Sequence, residues 1–250
     1  MEPPQHLYDT SAAHWVRREP QCVSDYTGRP AVLALCEPVA GRRVLDLGCG
    51  EGYCARQLCR RGAREVLGLD LSTGMPQEAE AQEQHEHLGI RYLHGDATDL
   101  SRFASQTFDL VLAMCLFNYL DLAAMTTCMG EVARVLRLGG RFVFAVPHPA
   151  LPFLHPIAPP LYFAVRPGGY FSARDGHFPG QTWRRDGTPL EVQLRHKTLE
   201  DYFQALQVAG FGSLPVVREL HVTPEILAID PAFFGPVLDV PLHLALALTR

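Results

Sequence analysis

Asp70 closes a short apolar run, Glu65 to Asp70, and a carboxylate at a strand tip can accept hydrogen bonds from both hydroxyls of a ribose. Asp96, in Gly95-Asp96-Ala97, ends a second such run and can accept from the exocyclic amine of an adenine. Asp70 lies 22 residues after Gly48, the first of three alternate glycines in Val44-Leu45-Asp46-Leu47-Gly48-Cys49-Gly50-Glu51-Gly52. Glycines so spaced let the backbone turn sharply and approach a ligand closely. The pattern is GxGxG, not the GxGxxG of dinucleotide-binding folds. The chemistry indicated is capture of a nucleoside by main-chain amides and acidic groups.

The elements that would position these residues follow from periodicity. Arg43 to Leu47 suits a strand buried on both faces, and Tyr53 to Arg61 suits the helix after the glycine turn. Further strands are expected at Glu65 to Asp70, Ile90 to His94, Phe108 to Met114 and Arg141 to Val146. Helices are expected at Pro30 to Cys36, Ser72 to Leu88, Leu122 to Arg137 and Leu199 to Ala209, with Gly139-Gly140 ending the third and Gly210 capping the last. Strands near Leu214 to Leu220 and Leu242 to Thr249 would finish the sheet.

Five of these pieces resemble, in order and spacing, a class I S-adenosylmethionine (SAM)-dependent methyltransferase: VLDLGCGEG (44–52), VLGLDLS (66–72), GDATDL (95–100), FDLVLAM (108–114) and LRLGGRFVFAVP (136–147). The resemblance covers residues 42 to 147. It implies an α/β fold: a three-layer α/β/α sandwich around a seven-stranded, mostly parallel sheet with one antiparallel edge strand, Rossmann-like, plus a substrate-cap insertion. It implies one domain over residues 1–250, divided into an N-terminal lid (1–40), a SAM-binding core (41–147), a cap (148–197) and a last helix with a C-terminal hairpin (198–250). SAM is the implied cofactor, with Gly48, Cys49, Gly50, Asp70, Leu71, Asp96, Ala97 and Met114 as binding positions. Asp46 would reach the methionyl ammonium, or else bind amides of the glycine turn. Met75 would lie against adenine, or belong to the core. Tyr8 and Trp15 would cover the cofactor from the lid, and Arg29 would pair with the methionyl carboxylate. The alternative for the aromatics is that they only pack the N-terminal helix on the sheet.

Composition narrows the partners. The net charge of −5 argues against a nucleic-acid partner, which would call for a basic surface. The longest apolar stretch, around 108–120, holds Asp109 and Asn118, so no membrane span is expected. Seven cysteines at 22, 36, 49, 54, 59, 115 and 128 include no CxxC; they read as reduced, buried residues of a cytoplasmic chain, and no metal site is expected. The N-terminus shows no signal peptide. One sequence does not fix the oligomeric state.

Methyl transfer from a sulfonium is an in-line displacement, so the protein has mainly to align the nucleophile, exclude water and place charges. Candidates sit where the carboxyl ends of the strands open. Asn118 and Tyr119 follow the fourth strand; their segment LFNYL is not the NPPY of exocyclic-amine methyltransferases. His148 follows the fifth strand in Pro147-His148-Pro149. Residues 147 to 189 hold nine prolines and seven aromatics, too long for a plain connection and too aromatic for disorder, so an ordered cap is expected. Tyr119, His148 and His177 are the catalytic candidates. Asn118, Tyr119, His148, Tyr170, Phe171, Trp183 and Arg184 are the substrate-binding candidates, with packing as the alternative for each cap residue.

GCGEGYCARQL, LFNYL, AVPHP, YFSARDGHFPG and HKTLEDYFQALQVAGF give a narrower resemblance, to the methyltransferase that ends ovothiol biosynthesis. It implies methylation of an imidazole nitrogen of 5-thiohistidine by a free-standing chain. The alternative is an O- or C-methyltransferase of another small secondary metabolite. Less favoured are a non-catalytic SAM-binding protein and an NAD-type oxidoreductase.

Overall fold

Residues 4–17, 19–165 and 168–250 are described by the computed structural model. In chain order α1 (Pro4–Trp15), α2 (Val23–Thr27) and α3 (Arg29–Leu35) precede β1 (Arg43–Leu47), α4 (Tyr53–Arg60), β2 (Glu65–Asp70) and α5 (Gly74–Glu86). Then come β3 (Arg91–His94), β4 (Phe108–Met114), α6 (Leu122–Val135) and β5 (Leu136–Pro147). A second group holds α7 (Leu151–Leu154), β6 (Leu161–Phe163), β7 (His177–Trp183) and β8 (Pro189–Arg195). The chain ends with α8 (Leu199–Val208), β9 (Val216–Leu220), α9 (Pro224–Ile229), α10 (Pro231–Phe234) and β10 (His243–Thr249).

The main sheet has seven strands in the order β3-β2-β1-β4-β5-β10-β9. β1 to β5 pair in parallel, and β10 runs antiparallel to both β5 and β9. The one antiparallel strand therefore lies in the expected C-terminal hairpin, with β9 outermost. Val44, Val66, Leu110 and Leu112 face α3, α4 and α5 through Val32, Ala55, Leu58 and Ala79. Leu45, Leu67, Leu69 and Val111 face α6 and α8 through Met125, Met129, Val132, Tyr202 and Leu206. Helices on both faces explain why the strands read as unbroken apolar runs.

Two boundaries differ from expectation. α6 stops at Val135, and β5 begins at Leu136 rather than Arg141. Leu136 pairs with Phe108, and the register slips between Phe108 and Leu110, so Gly139 (φ 76°) and Gly140 form an irregularity inside the strand instead of a helix stop. β9 starts at Val216 because Leu214 is 96% exposed and contributes nothing to the sheet.

The insertion builds its own antiparallel sheet, β6-β7-β8. Leu161, Phe163, Phe178, Val192 and Leu194 pack there with Val23, Val222, Phe234 and Leu242. Chain from both ends of the sequence thus closes over the carboxyl ends of the main strands. α1 packs on α5 and touches β8.

Phe144 is fully buried on β5 among the rings of Phe117, Phe142 and Tyr202. Phe144→Ala is expected to destabilise the fold by about 3–5 kcal/mol. Urea unfolding would show a lower midpoint at unchanged slope; a loss under about 1 kcal/mol would mean that this face is not tightly packed.

Candidate functional site

After β1 the chain turns through Gly48 (φ 64°) and Gly50 (φ 55°), backbone angles that favour glycine. The amides of Gly48 and Cys49 donate to Leu69 O at 2.8 and 3.1 Å, tying the turn to β2. A Cβ built on Gly50 would meet nothing within 4 Å, so the turn borders open space. Asp70 Oδ2 accepts from Gly50 N at 2.8 Å, and Oδ1 from Ser72 N at 2.9 Å. Each oxygen keeps a second lone pair. Burial raises the Asp70 pKa, against those two amides.

The space is a cavity of about 320 Å³ over the strand tips, a size that suits a small ligand. Every expected cofactor position lines it: Tyr8, Trp15, Arg29, Asp46, Gly48, Cys49, Gly50, Asp70, Leu71, Met75, Asp96, Ala97 and Met114. Asn118 and Tyr119 line it too.

Its electrostatics are uneven. Asp46 is 1% exposed, and its Oδ2 has no hydrogen-bond partner among the described residues. Burial, and next the charge on Asp70, push its pKa up to about 7, against the Ala55 amide and Arg29. Beside it, Asp25 Oδ1 is shared by Arg17 Nη1 at 2.6 Å and Arg29 Nη1 at 2.5 Å, while Oδ2 accepts from the amides of Gln21 and Cys22 at 2.8 Å. Burial alone would raise the Asp25 pKa, but the two guanidinium groups and the amides hold it well below the carboxylate range. Arg17 Nε also lies 3.1 Å from Glu51 Oε1, and Glu51 Oε2 pairs with Arg56 at 2.6 Å. Arg17 and Arg29 thus share Asp25, while Glu51 joins Arg17 to Arg56, which also lies 3.8 Å from Glu86. Burial pushes Cys54 up to about 12 and raises Cys49 and Cys115, so these thiols stay protonated.

α1 brings the Tyr8 hydroxyl onto the Tyr119 hydroxyl. Leu161, Phe163, Thr182 and Val192 of the small sheet and Pro147 also line the cavity, as does His243, which lies beside Thr27 and close to Arg29. His243 Nδ1 lies 3.1 Å from Thr27 Oγ1, whose own proton goes to Val23 O at 3.0 Å. Nδ1 is therefore the donor, and the ring's lone pair is on Nε2. Burial, then Arg29, lower the His243 pKa to about 3, so the ring is neutral.

The remaining sequence candidates lie outside this cavity. His148 follows Pro147, which faces the cavity; its own side chain turns away, with Nε2 3.0 Å from Glu219 Oε1 and Nδ1 accepting from Ala150 N. His177 bonds Gln193 Oε1 at 3.1 Å, and Trp183 stacks on Tyr162. Both project from the face of β7 opposite to Thr182, since alternate strand residues point to opposite faces. Arg184 pairs with Asp186 and donates to His14 O, fastening the end of α1. Tyr170 accepts from Leu199 N through its hydroxyl, at the start of α8, and Phe171 is 77% exposed. These are structural placements within and around the cap.

Sequence reasoning passed over Arg17, Asp25, Glu51 and His243. The four-residue spacing of Asp25 and Arg29 was a signal for an ion pair. His243 carried none, because the hairpin that brings it beside Pro147 pairs residues far apart in sequence.

Residues 44–140 match the family model described as a methyltransferase domain. The chain is 30% identical over 188 residues to aklanonic acid methyltransferase DauC of Streptomyces sp. (strain C5), covering 72% of this chain and 79% of that protein. This chain belongs to the SAM-dependent methyltransferases, and its cofactor is SAM. An S-adenosylmethionine-dependent methyltransferase from Mesorhizobium loti superposes with a TM-score of 0.67 at 27% identity, over 88% of this chain and 96% of that one. Malonyl-acyl-carrier-protein O-methyltransferase of Pectobacterium atrosepticum is 36% identical over 119 residues, 48% of this chain but only 44% of that protein. No helix among the described residues is long and apolar enough to cross a membrane.

Removing the charge at the shared aspartate should leave Arg29 without its carboxylate and Arg17 with Glu51 alone. Asp25→Asn is expected to lose about 3–5 kcal/mol of stability at pH 7. The native pKa is depressed, so the contribution is present above the unfolded value of about 4 and is lost as pH falls through the native one. The gap between wild type and variant in urea midpoint should therefore narrow below about pH 4. A constant gap would show that packing, not charge, is what was removed.

Proposed function

We propose that the chain methylates a small molecule held between the glycine turn and the cap, and that the accepting atom is a nitrogen of an imidazole, with 5-thiohistidine as the first substrate to test. The observation that carries this is the contrast between the polar end of the cavity and its largely apolar wall. The polar end offers groups for SAM: Asp46 for the ammonium, Arg29 with Arg17 for the carboxylate, Asp70 for the ribose, and Asp96 with Ala97, Leu71 and Met75 around the adenine. When bound, SAM supplies a methyl group already activated by a cationic sulfur. The wall given by the small sheet is largely apolar, and among the polar groups of the lining are the hydroxyls of Tyr8 and Tyr119, whose pKa values are raised by burial first and then, for Tyr8, by Tyr119. Neither is a phenolate at neutral pH, so neither is a ready proton acceptor. That favours a nucleophile whose lone pair is already free, and a neutral imidazole nitrogen is one.

A second reading is kept because two relatives bear names that indicate oxygen acceptors: DauC, named for aklanonic acid, and the malonyl-acyl-carrier-protein O-methyltransferase. A carboxylate also has a free lone pair and needs no base.

Purified protein incubated with SAM should convert 5-thiohistidine to a product heavier by one methyl group, with one equivalent of S-adenosylhomocysteine (SAH). Methylation of carboxylic acids or phenols with 5-thiohistidine untouched would favour the second reading. The polar end makes its own pH prediction. An ammonium pairs with ionised Asp46, whose carboxyl holds a proton below about pH 7, so SAH affinity should fall as pH drops from 8 to 6. Asp46→Asn should flatten that profile and weaken SAH at pH 8 by about tenfold or more. A flat wild-type profile by calorimetry would remove Asp46 from this role.

A further inference from the structure

Asn118 Oδ1 is a hydrogen-bond acceptor that no described residue meets, although the side chain also hydrogen-bonds the neighbouring Tyr119. It is 1% exposed, lies in the turn after β4 and lines the cavity. Its main-chain oxygen accepts from Arg195 N at 2.7 Å, and its Nδ2 donates to Gln193 O at 3.4 Å. Both partners belong to β8, so the cap's own strand sets the orientation of the amide. A flipped amide would put Oδ1 against the carbonyl of Gln193, lone pair to lone pair. In the orientation that β8 selects, Oδ1 is buried and has no partner among the described residues. A buried carbonyl oxygen without a donor destabilises a fold, so its presence in a ligand cavity indicates a donor that arrives with the ligand.

His243 repeats the pattern on the same cavity. Its Nδ1–H is used by Thr27, so its lone pair is on Nε2, and no described residue donates to it. Two uncharged acceptors therefore border the cavity.

We propose that Asn118 is a specificity-determining residue for the methyl acceptor, and that its Oδ1 receives an N–H from a substrate bearing a donor nitrogen next to its nucleophilic atom. This rests on the methyltransferase reading and deepens it. A neutral imidazole has this make-up: one nitrogen with a free lone pair and, one carbon away, another with a proton. A carboxylate has only lone pairs and would meet Oδ1 with repulsion. In the transfer, the free nitrogen lone pair forms the N–CH3 bond while the C–S electron pair returns to sulfur. The ring becomes a cation, its remaining N–H is held more strongly by Oδ1 as that charge develops, and this proton passes to water once the product is released.

The test uses SAH-loaded protein titrated with 4-methylimidazole and with benzoate. The imidazole should bind and benzoate should not. Asn118→Leu should weaken 4-methylimidazole by about five- to tenfold, the loss expected of one buried hydrogen bond, with SAH affinity unchanged. 1-Methylimidazole, which keeps the free lone pair but has no N–H, should bind wild type and Asn118→Leu equally weakly. Benzoate binding as tightly as 4-methylimidazole to wild type, or 1-methylimidazole binding wild type as tightly as 4-methylimidazole at unchanged SAH affinity, would overturn the proposal. A wild-type protein that fails to bind SAH would overturn the reading beneath it, and the proposal with it.

Discussion

A buried carboxylate, Asp46, near a half-buried one, Asp70, on neighbouring strands is the constraint on which the rest of the site depends. Desolvation raises the pKa of both, and the charge on Asp70 raises that of Asp46 further. The fold tolerates them unequally. Asp70 is tied into the glycine turn by two amides, whereas Asp46 keeps an oxygen without a partner among the described residues. A few ångströms of chain away the sign reverses, with Arg17 and Arg29 converging on Asp25. A pocket that places a carboxylate oxygen with no partner among the described residues near two arginines offers both signs of charge to an amino-acid zwitterion, and SAM carries one at its methionyl end.

The same constraint explains the closure of the cavity. Charges work at full strength only where water is excluded. The chain excludes it with three separate pieces. α1 lays Tyr8 and Trp15 over the mouth and is anchored where Asp9 Oδ1 accepts from Thr73 N at 2.7 Å, beside Ser72 and Asp70. The small sheet adds an apolar wall, and Arg184 joins that sheet to the end of α1. This N-terminal helix therefore touches both the segment that follows Asp70 and the small sheet, so the two sides of the cavity share one cover.

The fold and the cofactor half were legible in the sequence because both are written locally. A strand buried on two faces has to be a continuous apolar run, and a turn with φ above zero favours glycine, so Val44 to Gly52 and Glu65 to Asp70 announce themselves. Boundaries slipped where a local signal had two meanings. Gly139-Gly140 served equally as a helix stop or a bulge, and only the pairing of Leu136 with Phe108 decides between them. The charged cluster was half visible: Asp25 and Arg29 sit four apart, but Arg17 and Glu51 join them only through the packing of α2 against the glycine turn.

The acceptor half was misread for a different reason. In the cap His177 and Trp183 looked like pocket chemistry, yet with Tyr162 they occupy the face of the small sheet turned away from the cavity. The cavity wall is built by their immediate neighbours, Leu161, Phe163, Thr182 and Val192. A strand has period two, so a choice of face that is wrong by one residue is wrong for the whole strand. Chemical character alone cannot make that choice, because an apolar wall is what a site needs in order to strengthen the few polar contacts it keeps. His148 failed in the same way at the end of β5, where the cavity takes Pro147 and its β10 partner His243. Specificity in such a site lies in isolated groups set into an apolar surround, and those groups come from turns and strand ends whose facing is settled only when two sheets meet.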